Sequence, residues 1–307
     1  MELSIIDSFS ALRQRARNLG PKRCAVAAAA DPVILSAVAE ASAAELMIPI
    51  LIGDPAEIRG AMADPRTADI LRNVRTVETA NVTDSAAVAV RLAAEGKADM
   101  ILKGHLRTDQ LLHSVLDKQQ GLPRRGLLSD VLIYEDTLGT KRRLVGITDG
   151  GVNVAPGLEQ KKEILKNAVF IFHCLGFARP RVAIMSATEI VSPAIQSTVD
   201  AAKLTEMAQS GEFGSCEVFG PLALDNALIE SCARDKGIAS SVAGYADIML
   251  VANLEAGNIL GKSVKYFGGS ACAHVIAGSK VPILIPSRVE SVEDKLNSIA
   301  FGVVACE

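Results

Sequence analysis

The sequence predicts an α/β protein with two α/β/α domains and mainly parallel sheets. Short apolar segments alternate with amphipathic ones along most of the 307 residues, which is the order of strand–helix–strand units in a parallel sheet. The predicted strands show no polar face, as expected for strands that are covered on both sides. Hydrophobic residues make up 49% of the chain, but only 4% of residues are aromatic and none is Trp. A core of Ala, Val, Leu and Ile suits helices packed on a buried parallel sheet.

The first part of the chain alternates strand and helix after an opening amphipathic helix. Strands are predicted where apolar runs stop at Gly or polar residues, and helices where apolar positions recur every three or four residues. In chain order these segments are strand 24–29, helix 32–44, strand 48–52, helix 55–62, strand 74–77, helix 85–95, strand 99–102 and helix 108–117.

The alternation breaks near the middle of the chain and then resumes. Segments 127–134 and 142–148, joined through 137–140, predict an antiparallel pair with a turn. The later segments are helix 159–174, strand 182–185, helix 193–209, strand 216–219, helix 224–235, strand 248–251, helix 254–267, strand 281–285 and a helix from 292.

The mid-chain break predicts a domain boundary. We expect residues 1–128 and 279–307 to form one discontinuous domain and residues 129–278 to form the other. Because no low-complexity linker joins them, the two chain crossings are expected to form a tight hinge with a cleft between the domains.

Composition excludes several classes of function. The net charge of −3 provides no basic field, so nucleic acid is not an expected partner. The six cysteines are scattered singly without ligand spacing, which favours reduced residues and no metal site. No signal-peptide pattern and no apolar run long enough to span a bilayer is present, so no membrane association is expected and the predicted location is cytoplasmic.

The last strand and helix carry the strongest candidate site. The apolar run 281–285 predicts a buried parallel strand that stops at Ser287, and Ser291 with Asp294 forms a capping-box pattern at the start of a helix. Ser287 and Arg288 therefore lie at the carboxyl end of a strand and near a helix N-terminus, where open α/β sheets bind anions. The alternative is structural: Ser291 and Asp294 only cap the helix, and Arg288 makes a surface ion pair.

Two other strand exits carry polar residues that are candidates for substrate binding. Lys103 and Gly104 leave one predicted strand, and Thr108 begins the helix that follows. Asn258 and Lys262 lie on one face of a later helix, just after another strand. The alternatives are an ordinary turn for the first group and a solvated helix face for the second.

An ordered set of motifs resembles the phosphate acetyl/butyryltransferase family. It runs in order from residue 148 to residue 294. The motifs are TDGGVN (148–153), VAIMSATE (182–189), GPLALDN (220–226), GYADI (244–248), LEAGN (254–258) with Lys262, the Ser287-Arg288 pair and SVED (291–294).

The resemblance implies reversible conversion of acyl-CoA and phosphate into acyl phosphate and CoA, with coenzyme A as a substrate and no metal or bound cofactor. It also implies two α/β domains like those of isocitrate and isopropylmalate dehydrogenases, and a homodimer or larger homo-oligomer. KLNSIA (295–300), GPLALDN (220–226) and Val289 after the Ser-Arg pair are closer to the butyryltransferase branch.

The resemblance also implies the catalytic residues, which are Ser287, Arg288 and Asp294. On chemical grounds we expect Asp294 to accept the CoA thiol proton, Arg288 to hold the phosphoryl group, and Ser287 to donate to the oxygen on which charge develops. The helix cap competes with the first of these roles, because a carboxylate bound to a helix N-terminus is a weaker base.

One position departs from the family pattern, and three other functions stay open. His113 stands where many relatives have an arginine, and Arg107 is a nearby substitute for a contact to CoA or phosphate. The alternatives are a phosphate acetyltransferase, a noncatalytic sensor of acyl-CoA or acyl phosphate, and a metal-dependent decarboxylating dehydrogenase. The last needs a carboxylate cluster that the sequence does not reveal.

Overall fold

A computed structural model describes residues 4–122, 124–138, 142–287 and 290–306. It confirms the predicted α/β class, with helices and mostly parallel strands. Within these residues no helix is long and apolar enough to cross a membrane. Part of the turn expected at 137–140 lies outside the described residues, as does Arg288.

The helices and strands alternate along most of the chain. In order they are α1 (Phe9–Leu19), β1 (Lys22–Ala27), α2 (Pro32–Ala43), β2 (Met47–Gly53), α3 (Pro55–Ala61), α4 (Pro65–Leu71), β3 (Arg75–Glu78), α5 (Val82–Ala94), β4 (Met100–Lys103), α6 (Thr108–Leu116), β5 (Arg124–Asp136), β6 (Arg143–Thr148), α7 (Leu158–Cys174), β7 (Arg181–Met185), α8 (Gln196–Gln209), β8 (Glu217–Leu222), α9 (Leu224–Leu228), α10 (Glu230–Asp235), β9 (Ile248–Leu250), α11 (Leu254–Tyr266), β10 (Cys272–Ser279), β11 (Ile283–Leu284) and α12 (Val292–Ala305).

The described residues form two compact units. The terminal unit comprises residues 9–126 and 273–306, and the middle unit comprises residues 4–8 and 127–272. The domain boundaries and the cleft expected from the sequence stay predictions.

The terminal unit contains strands in the order β3-β2-β1-β4-β11-β10, and β10 runs antiparallel to its neighbour β11. β1 pairs with β2 on one side and with β4 on the other, so the direction of winding reverses between β1 and β4. In open parallel sheets, the carboxyl edge beside such a reversal is where ligands bind. The exits of β1, β4 and β11 lie together at this edge.

Asp-Pro pairs start three helices of the terminal unit. Asp31 and Asp54 follow β1 and β2, and each accepts two backbone N–H bonds from the first turn of the next helix. Asp64 caps α4 in the same way through Thr67. The proline at the first helical position has no N–H to satisfy and already has a helical φ, so each pair ends one segment and begins a helix.

The middle unit contains strands in the order β5-β6-β9-β7-β8, of which only the β5–β6 pair is antiparallel. Its core is a cluster of apolar side chains from these strands and the helices over them. Representative members are Val145, Ala183, Leu222 and Met249, which are almost completely buried.

The sequence missed some elements. Strand β10 is absent from the prediction because His274 and Gly278 interrupt its apolar run. Helix α4 was also missed, and the helix predicted over 224–235 is two short helices. Ile229 separates them with an extended backbone (φ −118°, ψ 113°), which breaks the helical hydrogen bonds that periodicity alone predicts.

Candidate functional site

The carboxyl ends of β4 and β11 lie side by side in the terminal unit. Leu284 pairs with Leu102 in parallel register. The next residue of β4 is Lys103, and β11 continues through two residues to Ser287, so both exits leave the sheet at the same edge. Helices α6 and α12 begin shortly after these exits, and helix N-termini offer N–H donors to anions.

Gly104 is required by close packing between the exits of β1 and β4. A Cβ atom at this position would lie 2.3 Å from the carbonyl oxygen of Ala28 and 2.6 Å from that of Ala27. The Gly104 N–H donates to Ala27 (2.9 Å), and the His105 N–H donates to Ala28 (2.7 Å). Glycine at 104 therefore lets two loops cross at the edge where a ligand is expected.

Lys103 precedes Gly104 in the chain, at the end of β4, and Thr108 follows it, at the start of α6. Lys103 is buried, with 5% of its surface exposed, and its Nζ lies 3.4 Å from the carbonyl oxygen of Leu106. Thr108 is half-buried at the first turn of α6. The exposed His105 Nδ1 lies 3.4 Å from Oδ2 of Asp31, so an imidazole also reaches this edge.

Ser287 and Asp294 differ in accessibility. Ser287 is exposed, whereas Asp294 is 1% exposed. The carboxylate Oδ2 of Asp294 accepts from the Ser291 hydroxyl at 2.6 Å and from the Ser291 N–H at 3.3 Å, while the Asp294 N–H donates to Ser291 Oγ at 3.1 Å. The capping box expected from the sequence is thus present, and in this conformation Asp294 is engaged at the start of its own helix.

Three residues near Ser287 were missed by the sequence analysis. Lys295, 1% exposed, donates from Nζ to the carbonyl oxygens of Ser287 (3.1 Å) and Glu290 (2.6 Å). Glu290 and His274 face each other, with Oε1 and Nε2 3.9 Å apart. The position of Lys295 beside the apolar residues of α12 was the available signal, and it was weak because lysines are rarely buried.

Glu290 is an unusual carboxyl group. Its side chain is 11% exposed, and its Oε2 is buried without a hydrogen-bond partner among the described residues. Burial raises the pKa of Glu290 above its ordinary value, and His274, a backbone hydrogen bond from Ser287 and Lys295 act in the opposite direction. A carboxyl group with these neighbours holds a proton more readily than an exposed glutamate does.

Asn258 and Lys262 are in the middle unit, exposed on α11. The first turn of this helix packs against the loop after β6, where a Cβ on Gly257 would lie 2.7 Å from Cα of Gly150. This glycine–glycine contact brings Asn258 Nδ2 to 3.4 Å from the carbonyl oxygen of Gly150. The resemblance named both residues, and the structure adds this close backbone approach.

Asp149 organises the same loop of the middle unit. Its carboxylate accepts from the backbone N–H groups of Gly151, Val152 and Asn153, at 2.9 to 3.0 Å, and from the Asn153 side chain at 2.6 Å. Burial raises the pKa of Asp149 to about 6, and the charge of Asp130 acts in the same direction, whereas the donors lower it. The sequence identified this motif without showing that its carboxylate is buried.

No group of three or more His, Cys, Asp or Glu side chains is arranged to hold a metal ion in the part of the chain that the structure describes. The expectation that the reaction needs no metal stays a prediction.

Comparisons with known proteins agree with the motif resemblance. The family model described as "Phosphate acetyl/butaryl transferase" matches residues 66–303. A phosphate butyryltransferase of Clostridium acetobutylicum is 37% identical over 98% of both chains. A phosphate acetyltransferase of Rhizobium meliloti is 38% identical over 96% of this chain and 92% of its own.

A solved structure has the same fold. The branched-chain phosphotransacylase of Enterococcus faecalis superposes with a TM-score of 0.81 at 30% identity, over 93% of this chain and 99% of its own. With the family match and the two relatives, this shows that the chain belongs to the phosphate acetyl/butyryl transferase family of acyltransferases.

Proposed function

We propose that this chain catalyses the reversible transfer of a short acyl group, of butyryl size, between coenzyme A and inorganic phosphate. The observation that carries the proposal is the exposed Ser287 at the carboxyl end of β11, beside the Lys103–Gly104 exit of β4 and near two helix N-termini. A parallel sheet binds anionic ligands at such an edge, and both phosphate and CoA are anionic.

The proposed reaction joins CoA directly to the acyl phosphate in a ternary complex. The CoA thiolate attacks the acyl carbon, the bond from that carbon to the phosphate oxygen breaks, and inorganic phosphate leaves with the electron pair. The Ser287 hydroxyl donates to the acyl oxygen as negative charge develops there. Arg288, which lies outside the described residues, is proposed to hold the phosphoryl group.

Asp294 is the proposed acceptor of the thiol proton. A thiol must lose its proton to become a competent nucleophile. Since Asp294 is buried and engaged with Ser291, we propose that its carboxylate acts as a base only when the Ser291 bonds are released. The capped form is then the resting form of the residue.

The other candidate residues are proposed to bind substrate. Lys103, Gly104 and Thr108 surround the edge where phosphate or acyl phosphate would lie. Asn258 and Lys262 are proposed contacts of CoA, through an amide group and a cation on an exposed helix face.

We further propose a cytoplasmic homo-oligomer. Large apolar side chains are exposed at the end of α11, where Tyr266 is 63% and Phe267 91% exposed, and a second copy of the chain would cover them. Sedimentation velocity at several concentrations tests the proposal, and a monomer at every concentration contradicts it.

The decisive experiment follows CoA consumption by thiol titration, with acetyl, propionyl, butyryl and isobutyryl phosphate offered in turn and no metal added. We expect the rate to peak at four carbons. A peak at acetyl phosphate identifies a phosphate acetyltransferase, which the equally similar Rhizobium relative supports as the second candidate. Binding of CoA without turnover of any acyl phosphate identifies the noncatalytic sensor.

Two variants assign the chemistry within the same assay. Asp294→Asn is expected to lower turnover with little change in CoA affinity, and Arg288→Ala to raise the KM for acyl phosphate. Near-normal kinetics in both variants removes this loop from the mechanism.

A further inference from the structure

Lys295 differs from ordinary lysines in being almost completely buried. Only 1% of its surface is exposed, and it is among the largest fully buried side chains of the described residues. A buried ammonium group is costly unless several acceptors replace the lost water. The acceptors of its hydrogen bonds therefore indicate which segment of the chain Lys295 stabilises.

Two of these acceptors belong to the loop that carries Ser287. Lys295 Nζ donates to the carbonyl oxygen of Ser287 at 3.1 Å and to that of Glu290 at 2.6 Å. The Glu290 N–H also donates to the Ser287 carbonyl oxygen at 3.2 Å, and we call Ser287 and Glu290, joined by this bond, the Ser287 turn. One ammonium group thus bridges the carbonyl oxygens of Ser287 and Glu290.

The stem of Lys295 begins on a fixed element. Its own N–H donates to the carbonyl oxygen of Ser291 at 3.2 Å, in the first turn of α12. Ser287 is exposed, while its carbonyl oxygen accepts a hydrogen bond from the buried ammonium group of Lys295 on this helix. The helix therefore sets the position from which the Ser287 side chain reaches solvent.

A second buried lysine provides a comparison within the same chain. Lys161, 5% exposed, donates to Oδ2 of Asp200 at 2.7 Å, and Gln196 donates to the other oxygen of that carboxylate. That pair joins α7 to α8, in the middle unit, whereas the Ser287 turn belongs to the terminal unit. Burial of a lysine is thus not by itself a sign of function, and the carbonyl acceptors in the Ser287 turn distinguish Lys295.

We propose that Lys295 is a positioning residue of the acyltransferase site, whose ammonium group fixes the Ser287 turn through its two carbonyl oxygens. This inference rests on the proposed function in assigning a catalytic role to Ser287. Removing the ammonium group leaves two carbonyl oxygens without these donors, so the turn opens more often and Ser287 is less often in the reactive position.

The test uses the full-length chain in three variants. Lys295→Met removes the donors and keeps an unbranched side chain of similar length. Lys295→Arg keeps the positive charge and the donors. Lys161→Met is the matched control, because it removes a buried lysine that does not touch the Ser287 turn.

Hydrogen exchange measured by mass spectrometry on peptides covering 285–291 reports on the turn directly. In Lys295→Met we expect about tenfold faster exchange there, as for the loss of about one net hydrogen bond. Exchange in β4 is expected to stay at the wild-type rate. Lys295→Arg is expected to restore most of the protection, and Lys161→Met to leave the turn unchanged. Wild-type exchange of the turn in Lys295→Met overturns the proposal.

Steady-state kinetics separate positioning from folding. Per folded molecule, Lys295→Met is expected to lose at least about tenfold in kcat with the KM for CoA within about twofold, because only the reacting geometry changes. An equal loss of kcat in Lys161→Met, or an equal rise of KM, overturns the positioning role.

A folding defect and an inactive wild-type chain are distinguished as follows. If Lys295→Met does not fold, Lys295→Gln retains one amide donor group, and intermediate exchange and turnover are then expected. If the wild-type chain turns over no acyl phosphate, the proposed function fails, while the exchange data still decide whether Lys295 holds the turn.

Discussion

Two loops of this chain, one in each unit, are held by buried charges of opposite sign. In the Ser287 turn, the carbonyl oxygens of Ser287 and Glu290 are bound by the ammonium group of Lys295. The Asp149 loop, residues 149–153, is bound through its backbone N–H groups by the carboxylate of Asp149. The ammonium group binds carbonyl oxygens and the carboxylate binds N–H groups, so the two loops direct opposite backbone groups towards their buried charges.

The difference matters for what each loop can offer a ligand. In the Asp149 loop the N–H groups of residues 151–153 are already used by Asp149 and are not available to bind an anion. In the Ser287 turn the carbonyl oxygens are used instead, which leaves the exposed Ser287 side chain for an anionic ligand. The Ser287 turn, in the terminal unit, is therefore the loop that we propose carries the reacting group.

The largest expected effect is loss of stability in Asp149→Ala. Three backbone N–H groups lose their acceptor, and we expect the free energy of unfolding to fall by about 4 kcal/mol. Because the chain has no Trp, urea unfolding followed by circular dichroism at 222 nm is the suitable measurement. Asp54→Ala, which removes an exposed helix cap with two N–H bonds, is the control and is expected to cost about 1 kcal/mol. Equal losses in the two variants would contradict a special role for the buried carboxylate.

The next effect is a dependence of stability on pH that arises from Asp149. Its pKa rises from 3.8 to about 6 on folding. Between about pH 4 and pH 6 this carboxyl is ionised in the unfolded chain but still protonated in the folded chain. The free energy of unfolding therefore falls by up to about 3 kcal/mol as the pH rises through this range. Below that range the carboxyl is protonated in both states, and above it the loss is complete.

Asp149→Asn isolates this contribution, because its side chain does not titrate. The free energy of unfolding is measured by urea titration at pH 4.5 and pH 7 in both proteins, and we expect the fall to be smaller in the variant. An identical fall in both proteins would show that Asp149 ionises in the folded chain as it does in the unfolded chain.

The edge of the sheet that carries Ser287 was predictable from the sequence. Alternating strands and helices indicate parallel pairing, which puts the carboxyl ends of β4 and β11 at the same edge whatever their exact lengths. That β4 and β11 are neighbours in the sheet was not predicted. The capping box of Ser291 and Asp294 was also predictable, since it depends on residues three apart in the sequence.

The buried charges were not predictable in the same way. Lys295 and Glu290 acquire their roles from contacts that exist only after the turn has folded back on α12. The pKa of Asp149 depends on burial and on Asp130, which is 19 positions earlier in the chain. Local patterns report neighbours along a helix or strand and carry little information about such contacts.

The Ser287→Ala variant tests whether the Ser287 turn carries the proposed reacting group. Ser287→Ala is expected to lower kcat about 100-fold, by loss of one donor to the developing charge. Ser210→Ala is the matched control, because the Ser210 hydroxyl donates to the Met207 carbonyl oxygen near the end of α8. A loss of less than threefold in Ser287→Ala, measured by thiol titration, would move the reacting group away from this turn.

The smallest effect concerns Glu290, and it has the opposite sign from that of Asp149→Ala. Glu290 has a buried oxygen without a partner among the described residues, and the nearby Asp294 adds a like charge. His274, the Ser287 N–H and Lys295 favour the charged form, but burial outweighs them. Glu290→Gln removes the cost of ionising a buried carboxyl, and we expect stability at pH 8 to rise by up to about 1 kcal/mol.

The sign of the pH effect follows from the raised pKa of Glu290. At a pH below its ordinary pKa the group is protonated in both states, so the gain from Glu290→Gln is expected to disappear near pH 4 and to grow as the pH rises. Thermal unfolding of the two proteins across this range measures it. Destabilisation at pH 8 would mean that the ionised carboxylate is held by donors near the turn. Both loops would then use a buried anion, and the contrast between them would be lost.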